Sequence, residues 1–101
     1  MTWLGVDLCV VPIGVGTSLS PYIAACQRVI ANTGLNYSLG PNGTAIEGDW
    51  DEVMACVREC HEEIHRMGAP RIYTTLKLNT RTDRHQTYQE KMRSVESIVD
   101  T

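Results

Sequence analysis

The sequence predicts an α+β sandwich, in which two helices cover one face of a four-stranded antiparallel sheet. Three observations support this fold class: an alternating apolar segment near the start, two amphipathic helical segments, and a tight hairpin turn between them. In chain order the pattern is β-α-β-β-α-β followed by a further helix, which is the order of the ferredoxin-like split βαβ fold. We expect residues 1–101 to form a single domain of this kind.

The first strand is expected at residues 3–13, where apolar and β-branched residues follow a period of two. Its residues expected to face the helices are Leu4, Val6, Leu8 and Val10. Asp7, Cys9 and Val11 then point to the opposite face, which two helices would leave open.

A helix and a hairpin are expected next. Ser20 suits the N-cap with Pro21 at the first helical position, and Gly34 suits the C-terminal cap. Two short strands, at residues 37–39 and 44–47, then flank a turn that contains Pro41-Asn42-Gly43.

The second half of the chain repeats the helix–strand pattern. Asp49 is expected to cap a helix that ends near Met67, and a strand at residues 71–80 follows it. Asp83 and Gln86 fit an N-cap with its reciprocal partner, so we expect the last helix to start near Asp83. The apolar stripe of this last helix is Tyr88, Met92, Val95 and Val99.

Composition excludes several classes of function. The chain has 101 residues, a net charge of −3, 6% aromatic residues and no Phe, which argues against nucleic-acid binding. The apolar run at residues 8–13 is far shorter than the roughly 20 residues of a membrane span, and Asp7 interrupts the N-terminal apolar stretch. We therefore expect a cytoplasmic protein without a membrane segment, whose four cysteines are reduced.

The open face of the sheet carries the residues of most functional interest. We expect Ile46, Leu76 and Leu78 to face the helices. The opposite face then combines apolar and charged side chains: Asp7, Cys9, Val11, Ala45, Glu47, Tyr73, Thr75 and Lys77. Burying an unpaired carboxylate costs several kcal/mol, so the acids must pair with Lys77, keep water or meet a ligand. Two hypotheses follow: a dimer interface with internal salt bridges, or a small-molecule pocket between subunits.

Two other groups of residues resemble functional motifs, but neither is predicted to form a site. Cys56, Cys60, His61 and His65 have metal-ligand residue types, but helical geometry separates the two pairs by about 140°, so no metal site is predicted. The glycine-containing segment at residues 14–18 lacks the lysine of a phosphate loop and is expected to be a turn.

A basic cluster lies at the expected start of the last helix. Arg81, Arg84 and His85 form either an anion-binding site or a salt-bridge cluster. The sequence offers no nucleophile with a matching base, so no catalytic residue is predicted.

Three segments together resemble a known family. They are DLCVVPIG at residues 7–14, GTAIEGDWDEVM at residues 43–54 and TRTDRHQT at residues 80–87. In this order and spacing they resemble the thiamine-binding protein family of the YkoF-like superfamily, and the resemblance extends from about Val6 to Ser97.

The resemblance implies a ferredoxin-like subunit that pairs sheet to sheet in homodimers and, as a dimer of dimers, in tetramers. It also implies cytoplasmic binding of thiamine or its hydroxymethylpyrimidine precursor, without catalysis and without a cofactor. An aminopyrimidine donates hydrogen bonds that Asp7 or Glu47 can accept, and a thiazolium cation favours a carboxylate or the aromatic face of Tyr73 or Trp50. The candidate ligand-binding residues are Asp7, Cys9, Thr44, Glu47, Trp50, Tyr73, Thr75 and Lys77.

Two alternatives stay open at this point. The chain can be a structural or interaction module whose open face only builds the oligomer. It can also be a small enzyme that acts on a phosphorylated metabolite through Arg81, Arg84 and His85, which would need a base or nucleophile that the sequence does not supply.

Overall fold

Seven elements follow one another in the computed structural model, which describes residues 2–100. They are β1 (Trp3–Ile13), α1 (Ser20–Thr33), β2 (Asn36–Leu39), β3 (Thr44–Asp49), α2 (Trp50–Arg66), β4 (Arg71–Asn79) and α3 (Tyr88–Val99). All strand pairs are antiparallel, and the sheet order is β2-β3-β1-β4. The predicted ferredoxin-like fold is therefore confirmed, with α1 and α2 against one face of the sheet.

The core lies between that face and the two helices. The helix-facing side chains of β1 are 0–6% exposed, as the alternation predicts: Leu4, Val6, Leu8 and Val10. Ile46 is fully buried beside them, and Leu76 packs against the same cluster. Leu78 differs, because it is 51% exposed and lies outside the core on the edge strand β4. Leu78 pairs in register with Val6, so it lies on the helix side of the sheet as predicted, but the helices do not cover it.

The ends of α1 and α2 differ in detail from the expected caps. Ser20 is the first residue of α1 and does not act as its N-cap, since the backbone carbonyl of Leu19 accepts the first N–H groups. Gly34 does cap α1 in the left-handed conformation, with φ of 76°. Asp49 precedes α2 as predicted, but its side chain makes no capping hydrogen bond because it also ends β3.

The last helix starts later than predicted. It begins at Tyr88, and the Thr87 hydroxyl accepts a hydrogen bond from the Glu90 N–H at 3.1 Å, so Thr87 is the N-cap. The predicted cap at Asp83 is wrong, because the Asp83 carboxylate pairs with the Arg81 guanidinium instead. Residues 80–87 consequently form an irregular segment that leads from β4 to α3.

Helix α3 has no buried residue along its length. Its apolar stripe is open, since Met92, Val95 and Val99 are 57%, 59% and 76% exposed. An exposed apolar stripe of this kind is typical of a surface that contacts another molecule. Within residues 2–100, no helix has the length and apolar character needed to cross a membrane.

Candidate functional site

A cleft lies on the open face of the sheet, at the end where β1 begins. Its floor is a row of four residues, one from each strand and paired in register: Asn36, Glu47, Gly5 and Asn79. The next row places Asp7 between Ala45 and Lys77. The segment after β4 and the first turn of α3 form the wall, with Arg81, Gln86, Thr87, Tyr88 and Lys91 among the lining residues.

The cleft has a volume of about 380 Å3, within the range of roughly 300–1,000 Å3 that small-molecule sites occupy. Gly5 gives it depth, because no side chain rises from the centre of the floor. A Cβ atom at this position would find its nearest neighbour, the Asn79 carbonyl oxygen, at 3.8 Å. Packing therefore does not require glycine at position 5. Its lack of a side chain instead leaves the space above the floor open.

Glu47 is the buried acidic group of the cleft, with 3% of its surface exposed. Its Oε1 accepts a hydrogen bond from the Asn36 side-chain amide at 2.5 Å, and its Oε2 accepts one from the Tyr88 backbone N–H at 2.9 Å. Both oxygens are thus satisfied by the protein, which offsets the cost of burying the charge. Through the hydrogen bond from Tyr88, Glu47 holds the start of α3 against the sheet.

Further hydrogen bonds form a small polar network around the Glu47 carboxylate. The Asn36 side-chain oxygen accepts hydrogen bonds from the Tyr88 hydroxyl and from the Gln89 amide, both at 3.3 Å. Burial, together with the negative charge of Glu47, raises the pKa of the Tyr88 phenol. The hydroxyl therefore stays protonated and acts as a donor beside the cleft.

Asp7 is the exposed acidic group of the cleft. Its carboxylate lies over Gly43, where an added Cβ would come within 2.6 Å of Oδ1. Lys77 is its direct cross-strand neighbour on β4, yet no ion pair joins them among residues 2–100. The Asp7 carboxylate is therefore available to accept hydrogen bonds from a ligand.

In the basic cluster proposed for anions, Arg81 and His85 already contact other side chains of the protein. The Arg81 guanidinium donates two hydrogen bonds to the Asp83 carboxylate, both at 2.6 Å, and a third to Gln86 at 2.8 Å. This fork lowers the pKa of Asp83 to about 2. His85 packs its ring edge against Trp3, with ring centroids 4.5 Å apart, and Arg84 does not line the cleft. The structure favours the salt-bridge alternative for Arg81.

The structure brings together three of the predicted ligand-binding residues in the cleft: Asp7, Glu47 and Lys77. Cys9, Thr75 and Tyr73 lie on the same face further along the strands, beyond the lining. Trp50 stands at the start of α2, outside the lining residues. Thr44 is buried on the helix side, where its hydroxyl accepts a hydrogen bond from the Gln27 amide at 2.9 Å, so it is separated from the open face.

The cysteines and histidines of the helices have structural partners. Cys26, Cys56 and Cys60 are 0–3% exposed, and the hydrogen bond to Cys26 raises the pKa of the Cys60 thiol, as does burial. His61 lies 2.6 Å from the Thr74 hydroxyl, and burial lowers its pKa, with a further contribution from His65. Among the residues that the structure describes, no three such side chains have the geometry of a metal site.

Sequence patterns assigned no functional role to five residues of the cleft and its floor row: Gly5, Asn36, Asn79, Tyr88 and Lys91. Gly5 carries a signal, because a glycine inside a strand often marks close approach of another group. Tyr88 and Lys91 carry none, because only the return of the chain over the sheet places them there.

Comparison with known sequences gives a consistent result over this region. Residues 6–96 match the sequence model of the thiamine-binding protein family. A UPF0045 protein of Synechocystis is 58% identical over 95 residues, which cover 94% of this chain and 78% of that relative. The UPF0045 protein ECM15 of Eremothecium gossypii is 42% identical over 92 residues, which cover 90% of this chain and 88% of the relative.

Solved structures share the same fold. A hypothetical protein of Methanocaldococcus jannaschii superposes with a TM-score of 0.88 at 26% identity, covering 95% of this chain and 98% of the other. A Thermotoga maritima protein provisionally assigned to thiamine biosynthesis or salvage superposes with a TM-score of 0.78 at 26% identity, covering 92% and 98%.

Proposed function

The chain belongs to the thiamine-binding protein family, and from this premise and the cleft geometry we propose that it binds thiamine or its hydroxymethylpyrimidine precursor without transforming it. The observation that carries the proposal is the open carboxylate of Asp7 beside a glycine floor, in a cleft of about 380 Å3. A flat aminopyrimidine ring can lie over Gly5 while its amine donates to Asp7.

The roles of the two acids differ in this proposal. Asp7 is the acceptor for the ligand, because no other group of the chain occupies its carboxylate among residues 2–100. Glu47 holds the wall in place, since both of its oxygens already accept hydrogen bonds. Asn79, which lies in the floor row, offers a further polar group to the ring.

A binding role without catalysis agrees with the chemistry of the lining. The lining residues include no Ser, Cys or His that could serve as nucleophile or base, and none of the relatives named above carries an enzymatic name. The lining thus holds no Ser–His or Cys–His pair of the kind that activates a nucleophile.

Isothermal titration with thiamine and with hydroxymethylpyrimidine tests the proposal. We expect Asp7→Asn to weaken binding at least tenfold, or about 1.4 kcal/mol, because the amide presents donors toward the ligand amine. Glu62→Gln, on the exposed side of α2, is the matched control and should bind as the unaltered chain does. Absence of heat and of any thermal shift with both compounds would refute the function.

We further propose that the open sheet face pairs with that of a second copy, as the family resemblance implies. The part of the face beyond the cleft supports this, because Tyr73 is 64% exposed and Cys9 and Val11 are only half-buried beside it. The apolar stripe of α3 is exposed as well. Exposed apolar surface of this kind is typical of an interface between chains, and further pairing of dimers into a tetramer belongs to the same proposal.

This interface also supports the second candidate function. If the face only builds an oligomer, the chain is a structural module without a ligand. The depth of the cleft at Gly5 and the open carboxylate of Asp7 favour ligand binding over this alternative.

A further inference from the structure

Both lysines of the chain line the same cleft. Lys77 lies on β4 beside Asp7, and Lys91 lies in the first turns of α3, fourteen positions further along the chain. The other seven basic residues are arginines, and of these Arg81 alone reaches the cleft. The structure thus gathers two ammonium groups from different elements at the rim of one cavity.

Neither ammonium group has a partner among residues 2–100. No ion pair or hydrogen bond there engages the Nζ atom of Lys77 or of Lys91. The lining carboxylates make no ion pair with them among residues 2–100, and both oxygens of Glu47 accept hydrogen bonds from Asn36 and the Tyr88 backbone instead. Asp7 faces Lys77 across the strands without contacting it. The rim therefore presents two ammonium groups that are free to bind an anionic group, although the chain as a whole has a net charge of −3.

This charge distribution discriminates between ligand forms. Free thiamine and the free alcohol carry no anionic group that the two ammonium groups could bind. A phosphate monoester carries about −1.5 to −2 at pH 7 and accepts hydrogen bonds through three oxygens, so it is attracted by the same groups. An aminopyrimidine with a phosphate ester on its hydroxymethyl arm would satisfy Asp7 at one end and the lysines at the other.

We infer that the cleft recognises the phosphate ester of the aminopyrimidine in preference to the free alcohol, with Lys77 and Lys91 as the phosphate-binding residues. The inference rests on the proposed function for the pyrimidine end and adds the class of ligand at the other end. Arg81 has a different role, because three of its five N–H donors already serve Asp83 and Gln86 and its charge is paired with Asp83.

Titration of the full chain with hydroxymethylpyrimidine, hydroxymethylpyrimidine phosphate, thiamine and inorganic phosphate tests the inference. We expect the phosphate ester to bind at least tenfold more tightly than the free alcohol, with an advantage that declines as sodium chloride is raised. Lys77→Gln and Lys91→Gln should each reduce this advantage. Arg93→Gln removes a positive charge from an exposed position of the same helix, outside the cleft, and should not.

Acetylation of the lysines gives a second measurement. Lys77 and Lys91 are both exposed and should react readily in the free protein. The phosphate ester should slow acetylation of both, as measured by peptide mass spectrometry, whereas the free alcohol should leave Lys91 reactive. This readout does not depend on variants and reports directly on which amines the ligand covers.

The outcomes separate the two proposals. Equal affinities for the ester and the alcohol, or an advantage that survives in the double lysine variant, would overturn the phosphate inference and leave the proposed function standing. Binding of inorganic phosphate as tight as that of the ester, with no binding of the alcohol, would overturn the proposed function and keep phosphate recognition by the lysines. No binding of any compound overturns both.

Discussion

The two ends of the open sheet face differ in what covers them. At the end that contains Gly5 and Glu47, four strands contribute to each row and the chain after β4 returns as a wall. At the end that contains Val11 and Tyr73, only β1 and β4 are paired, and nothing in residues 2–100 covers Tyr73. The comparison shows how one returning segment converts one end of a sheet surface into a cleft and leaves the other end uncovered.

Few hydrogen bonds attach the segment after β4 to the sheet. One carboxylate, Glu47, joins a neighbouring strand through Asn36 and the last helix through the Tyr88 backbone. Beyond its first turns, α3 makes little contact with the rest of the chain and exposes its apolar stripe. The wall of the cleft therefore depends on a few hydrogen bonds rather than on a packed core.

The largest expected effect comes from removing the hydrogen bonds that the Glu47 carboxylate accepts. Glu47→Ala removes a buried acceptor of two hydrogen bonds, so we expect the free energy of unfolding to fall by about 2 kcal/mol in urea titration. Amide exchange should accelerate throughout residues 80–99 and stay unchanged in α2.

Two controls define this result. Glu47→Gln keeps one acceptor and should cost less, while Glu62→Ala lies on an exposed surface and should change stability by no more than about 0.5 kcal/mol. Unchanged exchange in residues 80–99 of the Glu47→Ala variant would show that other contacts hold the wall.

The second prediction concerns the floor of the cleft. Gly5→Ala introduces a Cβ with only ordinary contacts, and alanine in a strand is more stable than glycine by about 0.5–1 kcal/mol. The variant should thus be at least as stable as the unaltered chain by thermal unfolding. We expect its affinity for the aminopyrimidine to fall at least tenfold, because the methyl group rises where the ring would lie.

Gly48→Ala is the matched control, and it is expected to change stability instead of affinity. A Cβ there would lie 2.5 Å from Leu35 on the helix side, so this variant should lose stability while binding normally at low temperature. If Gly5→Ala binds with unchanged affinity, the ring does not lie over the floor.

The third prediction tests the uncovered end of the face. Tyr73→Arg places a charge in the proposed interface, and we expect it to shift the oligomer toward the monomer in size-exclusion chromatography with light scattering. Glu62→Arg, on the exposed surface of α2, should leave the distribution unaltered. An oligomer that persists in the Tyr73 variant would place the interface elsewhere, for example along α3.

The smallest effect is expected at the turn before α3. Because the Arg81 fork lowers the pKa of Asp83 to about 2, the pair stabilises the fold above the ordinary carboxyl pKa of 3.8, and this contribution is lost as pH falls from there toward 2. Arg81→Gln should move the Asp83 titration, followed by carbon NMR, back up toward 3.8. A midpoint that stays near 2 would assign the shift to the backbone hydrogen bond instead.

Local patterns explain why most of the fold was predictable. The alternation in β1 identified its buried face correctly, and Gly34 identified the end of α1, because both features depend on neighbouring residues alone. The start of α3 was misplaced for an equally local reason. Asp83 and Gln86 have the spacing of a capping box, but Arg81 offers three hydrogen-bond donors that both side chains take instead.

The candidate site was less predictable than the fold. Strand parity placed Asp7, Glu47 and Lys77 on one face, and register made them neighbours. Thr44 was grouped with them by its place in a motif, although its parity turns it toward Gln27 and the helices. No periodicity indicates that Glu47 is buried on a face that the two helices leave open, because the group covering it comes from a distant part of the chain.

The sequence by itself determined the order of elements, the helix-covered face of the sheet and the residue types on the open face, since periods of 2 and 3.6 residues are local properties. Only the tertiary structure decided that the segment after β4 returns over Glu47 and brings Lys91 to the same cleft as Lys77. The hydrogen bond that secures this return joins residues 41 positions apart. Whether a chain makes such a contact depends on the geometry of the whole sheet, which no short window of sequence contains.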